Sequence, residues 1–145
     1  ARAGQNAAGR SRMGLIIDTG VLIRLEKDPT AVEFATYKPA YGEGFISAAT
    51  CSELLVGVHL ANTEQRRARR SAFVEAIFKL FRPLPFDLEV ARVHAHLVSS
   101  LGRGVTLGAL DLIIGATAIR HGFPVLTTNV ADFRRMPGCT VEALK

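Results

Sequence analysis

The sequence is poor in several residue types that define whole classes of protein. Its 145 residues include no tryptophan, only two cysteines and 7% aromatic residues. Two cysteines are too few for a disulfide framework or a cysteine-rich zinc site, and such usage is typical of a reducing compartment. No apolar run approaches the ~20 residues of a membrane span, and the N-terminus has no hydrophobic signal core. We therefore expect a soluble, cytoplasmic protein.

The composition is that of one globular domain. Apolar residues make up 48% of the chain and charged residues 21%, and the formal net charge is +5. Residues 1–12 are rich in Gly, Ala and Arg, lack hydrophobic periodicity and carry three of the positive charges. We interpret them as a disordered tail or an artificial extension, with a basic arm that touches nucleic acid as the alternative. Residues 13–145 are then a single domain.

Apolar runs that alternate with helical periods predict the fold class. Residues 15–17 are an apolar run that ends at Asp18, which is typical of a buried strand with a carboxylate at its C-terminal end. Further strands are predicted at 45–47, 124–127 and 140–141, with an extended connector at 83–86. Helices are predicted at 21–27, 30–37, 50–60, 63–80, 88–101 and 109–120. This order predicts an α/β domain with a mostly parallel sheet and helices on both faces.

Four acidic residues are predicted to meet at one edge of that sheet. Asp18, Glu53, Asp111 and Asp132 each lie just beyond a predicted strand or near the start of a helix. Glu53 has an alternative role, because Thr50-x-x-Glu53 is the pattern of an N-terminal capping box. Asp132 could be a turn or capping residue. Asp111 is harder to explain structurally, since its apolar neighbours would make an unpaired carboxylate costly to bury.

Clustered carboxylates predict a divalent metal site. Like charges repel, and a bound cation makes their proximity tolerable. Oxygen ligands suit Mg²⁺ or Mn²⁺, and the chain offers no Cys/His set for zinc. In this hypothesis one or two such ions bind at the carboxylates of Asp18, Glu53, Asp111 and Asp132. Such ions activate water and neutralise charge on a phosphodiester, as in metal-dependent nucleases.

A second charged feature is the group of arginines at the start of the helix predicted at 63–80. A solvated helix face is the simpler interpretation, and contact with RNA phosphates or with a partner protein is the functional one. The four arginines are Arg66, Arg67, Arg69 and Arg70.

Two other enzyme classes fit poorly. Asp18-Thr19-Gly20 matches the active-site triplet of aspartic proteases, but that fold is nearly all β and this chain has three long helical periods. Phosphotransfer through an aspartyl nucleophile is also disfavoured, because Gly20 occupies the position where a second acid would be needed.

Four stretches, in order and at family-like spacing, carry a resemblance that spans residues 13–145. They are 15–19 (LIIDT), 46–57 (ISAATCSELLVG), 111–116 (DLIIGA) and 126–133 (LTTNVADF), and 85–87 (PFD) also fits. On these motifs the chain resembles PIN domains, specifically the VapC-type ribonuclease toxins of bacterial type II toxin–antitoxin systems.

The resemblance implies a PIN-like three-layer α/β/α sandwich and an endoribonuclease. It implies that Asp18, Glu53, Asp111 and Asp132 hold Mg²⁺ or Mn²⁺ and that a metal-bound water hydrolyses single-stranded or loop RNA. It further implies a cognate antitoxin that blocks the site, and members of this family are commonly homodimers.

One position departs from the family pattern. Gly20 replaces the usual Asn or Ser and removes a side-chain hydrogen bond that could orient the acids. Thr19, Thr127 and Asn129 remain to position ligands or the attacking water. Because of Gly20, a catalytically weak or silent PIN-like module that binds RNA or a partner is the alternative.

Overall fold

The computed structural model describes residues 13–144, so the predictions for residues 1–12 lie outside the described part of the chain. The five strands are β1 (Gly14–Ile17), β2 (Glu43–Ser47), β3 (Arg82–Leu84), β4 (Val125–Thr127) and β5 (Val141–Ala143). The helices are α1 (Thr19–Lys27), α2 (Lys38–Tyr41), α3 (Ala48–His59), α4 (Glu64–Leu80), α5 (Leu88–Ser100), α6 (Ala109–His121) and α7 (Val130–Arg134), with a 3-10 turn at Phe34–Thr36.

The strands form one sheet in the order β3-β2-β1-β4-β5, and every neighbouring pair is parallel. This confirms the predicted α/β class with its parallel sheet. The central strand β1 pairs Ile16 with Phe45 on one side and with Val125 on the other. All four of its residues are buried, as expected for a strand covered on both faces.

Alternate residues along each strand face two separate apolar layers, because successive side chains point to opposite faces of a sheet. On one face Ile17, Ile46 and Leu126 pack with residues of α1, α3 and α4. On the other face Ile16 and Val125 pack with residues of α5, α6 and α7. The result is the α/β/α sandwich that the sequence predicted.

Side-chain caps begin two of the long helices. The Thr63 hydroxyl accepts a hydrogen bond from Arg66 N–H at the start of α4 (3.1 Å), and Asp87 Oδ1 accepts one from Val90 N–H at the start of α5 (2.9 Å). Side-chain oxygens at such positions satisfy backbone donors that the helix itself leaves unpaired.

The helix predicted at 30–37 is wrong. That segment contains only the 3-10 turn, and the short α2 begins where a helix was expected to end. Pro39 lies in the first turn of α2, a position that tolerates proline because no intrahelical partner is needed for its missing N–H. The proline therefore belongs to the start of a helix.

The capping box predicted at Thr50 is also wrong. Helix α3 begins two residues earlier, and the Ser47 hydroxyl caps it by accepting from Ala49 N–H at 3.0 Å. The connector predicted at 83–86 contributes residues to β3, where Pro83 lies on an edge strand that tolerates a missing donor. Within residues 13–144, none of the helices has the length and apolar character needed to cross a membrane.

The packing of α6 requires a glycine. A Cβ on Gly115 would collide with Sδ of Met136, which is fully buried. We expect Gly115→Ala to lower the free energy of unfolding by about 1–3 kcal/mol, the usual cost of overpacking a core. Denaturant unfolding measures this change.

Gly57→Ala is the matched control in another helix. Its new Cβ would lie 3.6 Å from Arg70 Cδ, an ordinary contact. It should leave stability unchanged or raise it by up to about 1 kcal/mol, because alanine is the better helix former. Equal destabilisation by both variants would contradict the packing argument.

Candidate functional site

The site lies at the C-terminal ends of β1 and β4, where the chain order of the strands reverses. Strand β2 lies on one side of β1 and β4 on the other, which makes this edge the topological switch point of the sheet. In open parallel sheets a crevice forms at such a point. Asp18 directly follows β1, and its N–H donates to the carbonyl of Leu126 in β4 (3.0 Å).

A chain of hydrogen bonds connects Asp18 with Asp132. The Thr127 hydroxyl donates to Asp18 Oδ2 at 2.7 Å and accepts from Asn129 N–H at 2.8 Å. Asn129 Nδ2 then donates to Asp132 Oδ2 at 2.9 Å. Thr127 is fully buried, so its hydroxyl has little freedom to choose other partners. The end of β4 and the start of α7 thereby hold both carboxylates.

Glu53 is the acid that α3 contributes to the site. It lies in the second turn of α3, and its Oε1 accepts a hydrogen bond of 2.8 Å from the Thr19 hydroxyl at the start of α1. The Thr19 hydroxyl oxygen also lies 3.0 Å from that of Thr50. Glu53 therefore has no capping role and is held toward Asp18 by the adjacent Thr19.

Asp111 lies in the first turn of α6, next to the capping residue Gly108. A Cβ added to Gly108 would lie 3.1 Å from Asp111 Oδ2, so the glycine leaves room for the carboxylate. Burial raises the pKa of Asp111, and the negative charges of Asp18 and Asp132 raise it further. The carboxylates of these three residues are thus close enough to interact.

Asp18 is the most deeply buried acid of the group, with 6% of its surface exposed. Burial raises its pKa, hydrogen bonds from Thr127 and from the Thr19 N–H oppose that effect, and the charge of Glu53 adds to it. In residues 13–144, none of the four acids forms an ion pair with a lysine or arginine. No basic side chain in the described part of the chain therefore compensates their negative charge by direct pairing.

The donor set fits a hard divalent cation. All four side chains offer carboxylate oxygens, the ligands that Mg²⁺ and Mn²⁺ prefer. Across the described range 13–144, no group of three or more His, Cys, Asp or Glu side chains is arranged so that all of them could hold one metal ion. That arrangement is compatible with Mg²⁺, which keeps several waters and takes only one or two protein carboxylates directly.

The four arginines occupy the first half of α4 and differ in their partners. Arg67 pairs with Glu64 and donates to the carbonyl of Ala61 (3.0 Å). Arg70 donates to the carbonyl of Gly57 (3.1 Å), one turn along α3 from Glu53. A groove of about 400 Å³ between α1 and α4 is lined by Glu26, Lys27, Arg66, Arg69, Arg70 and Phe73.

Comparisons with known proteins identify the family. The sequence model of the PIN domain family matches residues 15–138. The chain is a PIN-domain protein of the VapC ribonuclease family. It is 40% identical to Ribonuclease VapC1 of Rickettsia felis over 130 residues, which are 89% of this chain and 95% of the relative.

Solved structures of the family share the fold. One is the DNA-bound VapBC of Salmonella typhimurium, with a TM-score of 0.81 and 25% identity over 90% of this chain and 98% of the other. Another is VapBC-5 of Mycobacterium tuberculosis, a member of the VapBC family of toxin–antitoxin systems. Its TM-score is 0.71, with 30% identity over 92% of this chain and 98% of the other.

The PIN fold of this chain brings together residues that are far apart in the sequence. Asp18 interacts with Glu53 and Asp111, and Asp111 also interacts with Asp132. Thr19, Thr127 and Asn129 each hydrogen-bond one of these acids.

Sequence reasoning missed Thr50, which was assigned only to a helix cap. The signal was available, because Thr50 lies three residues before Glu53 and hence on the same face of a helix.

Gly20, which differs from the Asn or Ser usual in the family, has open space where a side chain would lie. A Cβ there would meet only the Thr128 hydroxyl, at 3.7 Å, and Gly20 does not have a positive φ. The backbone would therefore accept the Asn or Ser that is usual at this position, and glycine is not required by the fold.

The uncompensated charge at Asp111 should lower the stability of the metal-free protein. A raised pKa means that the folded state resists ionisation, so stability falls as the pH rises through the folded pKa. In EDTA at neutral pH, we expect Asp111→Asn to melt a few degrees higher than the unsubstituted protein. The difference should disappear in acid, below the ordinary aspartate value of 3.8, because the carboxyl is then protonated in both states.

Asp28→Asn is the control for that measurement. Hydrogen bonds from Thr30 lower the pKa of Asp28, so its charge favours the folded state and its loss should not stabilise the protein at neutral pH. A lower melting temperature for Asp111→Asn at neutral pH would contradict the account of crowded charge.

Proposed function

We propose that the protein is a cytoplasmic endoribonuclease that depends on Mg²⁺ or Mn²⁺ and is neutralised by a cognate antitoxin. The observation that carries this proposal is the convergence of four acids at the switch point of the sheet, where none of them pairs with a lysine or arginine of residues 13–144. The names of the VapC relatives support ribonuclease activity. The titles of the solved VapBC structures support an antitoxin partner.

The residues of the site have different proposed roles. Asp18, Glu53 and Asp111 would hold a first divalent ion, one or two of them directly and the rest through waters of the ion, and Asp132 would complete or assist a second. Such an ion, when bound, lowers the pKa of a coordinated water and offsets charge on the phosphodiester. Thr19, Thr127 and Asn129 keep the carboxylates in place through the hydrogen bonds described above. The buried position of Asp18 limits the water that competes for its oxygens.

The groove between α1 and α4 has the charge to bind the sugar–phosphate backbone of RNA. Arg66, Arg69 and Lys27 line it, and Glu26 is its single acid, which lies 3.4 Å from Arg70 Nε. Arg67 is engaged by Glu64 and contributes less. Phe73 adds an aromatic surface, and basic grooves with aromatic side chains are typical of single-stranded RNA binding.

Exposed apolar side chains on α1 and α3 provide a surface for the partner protein or for a second copy of the chain. Ile23, Leu55, Val56 and Leu60 remain between 38% and 76% exposed. Single exposed apolar residues are common, but several on neighbouring helices favour an interface. We propose that this surface serves the antitoxin or a homodimer.

Cleavage of a fluorogenic single-stranded RNA tests the activity. We expect cleavage with Mg²⁺ or Mn²⁺, none in EDTA, and a loss of at least 100-fold in Asp18→Asn because a ligand oxygen and its charge are removed. Asp87→Asn is the matched control, since asparagine caps a helix as well as aspartate does. Its activity should equal that of the unsubstituted protein.

The product ends provide an independent readout. Hydrolysis by water is expected to leave 5′-phosphate and 3′-hydroxyl ends, whereas attack by the 2′-hydroxyl of the RNA leaves a cyclic phosphate. Cyclic ends, full activity in EDTA, or an inactive protein that binds RNA normally would each contradict the proposed function. The last result would support the silent binding module.

The role of the basic groove predicts a salt-dependent defect. Arg66→Glu combined with Arg69→Glu should weaken RNA binding at least 10-fold at low salt and much less at high salt, because phosphate contacts act through counterion release. Binding is measured by fluorescence anisotropy at two salt concentrations. Arg92→Glu combined with Arg103→Glu gives the same charge change at exposed positions elsewhere, and equal losses in both pairs would contradict a role for the groove.

A further inference from the structure

Thr50 is a buried polar residue whose hydroxyl contacts a residue of the candidate site. No part of it is exposed, and its Oγ1 lies 3.0 Å from the hydroxyl of Thr19, 31 residues earlier in the chain. The contact joins α3 to the start of α1 directly beside Asp18. Since a buried hydroxyl without a partner is costly, the pair has a structural reason to stay formed.

The number of protons fixes the direction of these hydrogen bonds. The Thr19 hydroxyl carries one proton and has two oxygens within reach, that of Thr50 and Oε1 of Glu53 at 2.8 Å. A carboxylate that binds a metal ion, as proposed for Glu53, is ionised and has no proton to donate. The Thr19 proton therefore goes to Glu53, and the Thr50 hydroxyl donates to Thr19. Hydrogen bonds in such a chain strengthen one another.

We propose that Thr50 is a positioning residue for the metal site and acts on Glu53 through Thr19. This role rests on the proposed metal-dependent function. By donating to Thr19, Thr50 aligns the Thr19 proton with Glu53 Oε1 and leaves Oε2 without a hydrogen bond in the part of the chain that the structure describes. Groups that orient a ligand in this way typically change metal affinity 10- to 100-fold when they are removed.

Thr117 provides a matched comparison within the same protein. It is also a buried helical threonine, but its hydroxyl donates to the carbonyl of Ile113 in its own helix at 2.7 Å. Thr117→Val and Thr50→Val make the same chemical change in the core. Only Thr50→Val removes a hydrogen bond that leads to a carboxylate of the site.

Calorimetric titration of the metal-free protein with MnCl₂ tests the proposal. We expect Thr50→Val to bind Mn²⁺ about 10-fold more weakly. Thr50→Ser should retain nearly full affinity because it keeps the hydroxyl, and Thr117→Val should bind as the unsubstituted protein does. Thr50→Ala is a second variant without the hydroxyl, and melting temperatures in EDTA show which variants are folded.

Each outcome has a distinct meaning. Unchanged Mn²⁺ affinity in a folded Thr50→Val or Thr50→Ala protein would overturn the role of Thr50 and leave the proposed function intact. An equal loss in Thr117→Val would show that the effect is a general one of core substitution, which also overturns it. Absence of Mn²⁺ binding by the unsubstituted protein would overturn the proposed function and, with it, this role.

Discussion

Repulsion between carboxylates at the end of the central strand is the constraint on which the rest of this site depends. Asp18 is buried, and Glu53 and Asp111 are close enough to act on it electrostatically. A folded protein gains nothing in stability from such an arrangement, because each charge disfavours its neighbours. This loss of stability is consistent with selection for binding a cation. Acids with shifted pKa values in a crevice are a general sign of a functional site.

The parallel sheet explains why these residues meet. Strand β1 is central, with β2 on one side and β4 on the other. Because all the strands are parallel, their C-terminal ends lie at the same edge of the sheet. Residues after β1 and β4 and near the start of α6 are then brought together although they are up to 114 residues apart, as Asp18 and Asp132 are. Two sets of hydroxyl and amide contacts, through Thr19 and through Thr127 and Asn129, hold the acids within this framework.

Much of this architecture could be predicted from local patterns. The apolar runs that end at Asp18 and Thr127 predict strands, and the structure has strands β1 and β4 there. Strands that are buried on both faces need such continuous apolar residues. Caps such as those at Thr63 and Asp87 depend on local sequence, since the cap and the backbone donor it satisfies are only three residues apart. The positions of the four acids followed from the connectivity of a parallel sheet.

Other features depend on tertiary contacts that no local pattern contains. The capping-box pattern at Thr50 and Glu53 was misleading because Ser47 starts α3 earlier and turns both residues toward α1. Pro39 signals a helix boundary but does not show which side of the proline is helical. Of the four arginines, only the fold shows that Arg67 is engaged by Glu64 while Arg66 and Arg69 line a groove.

A crystal structure of the protein soaked in MnCl₂, with anomalous diffraction recorded from manganese, tests the central claim most directly. The account predicts an anomalous peak in the crevice, bonded to Asp18 and to at least one of Glu53, Asp111 and Asp132. A peak confined to other surface acids, or a crevice without manganese at saturating concentration, would show that these carboxylates are not a metal site.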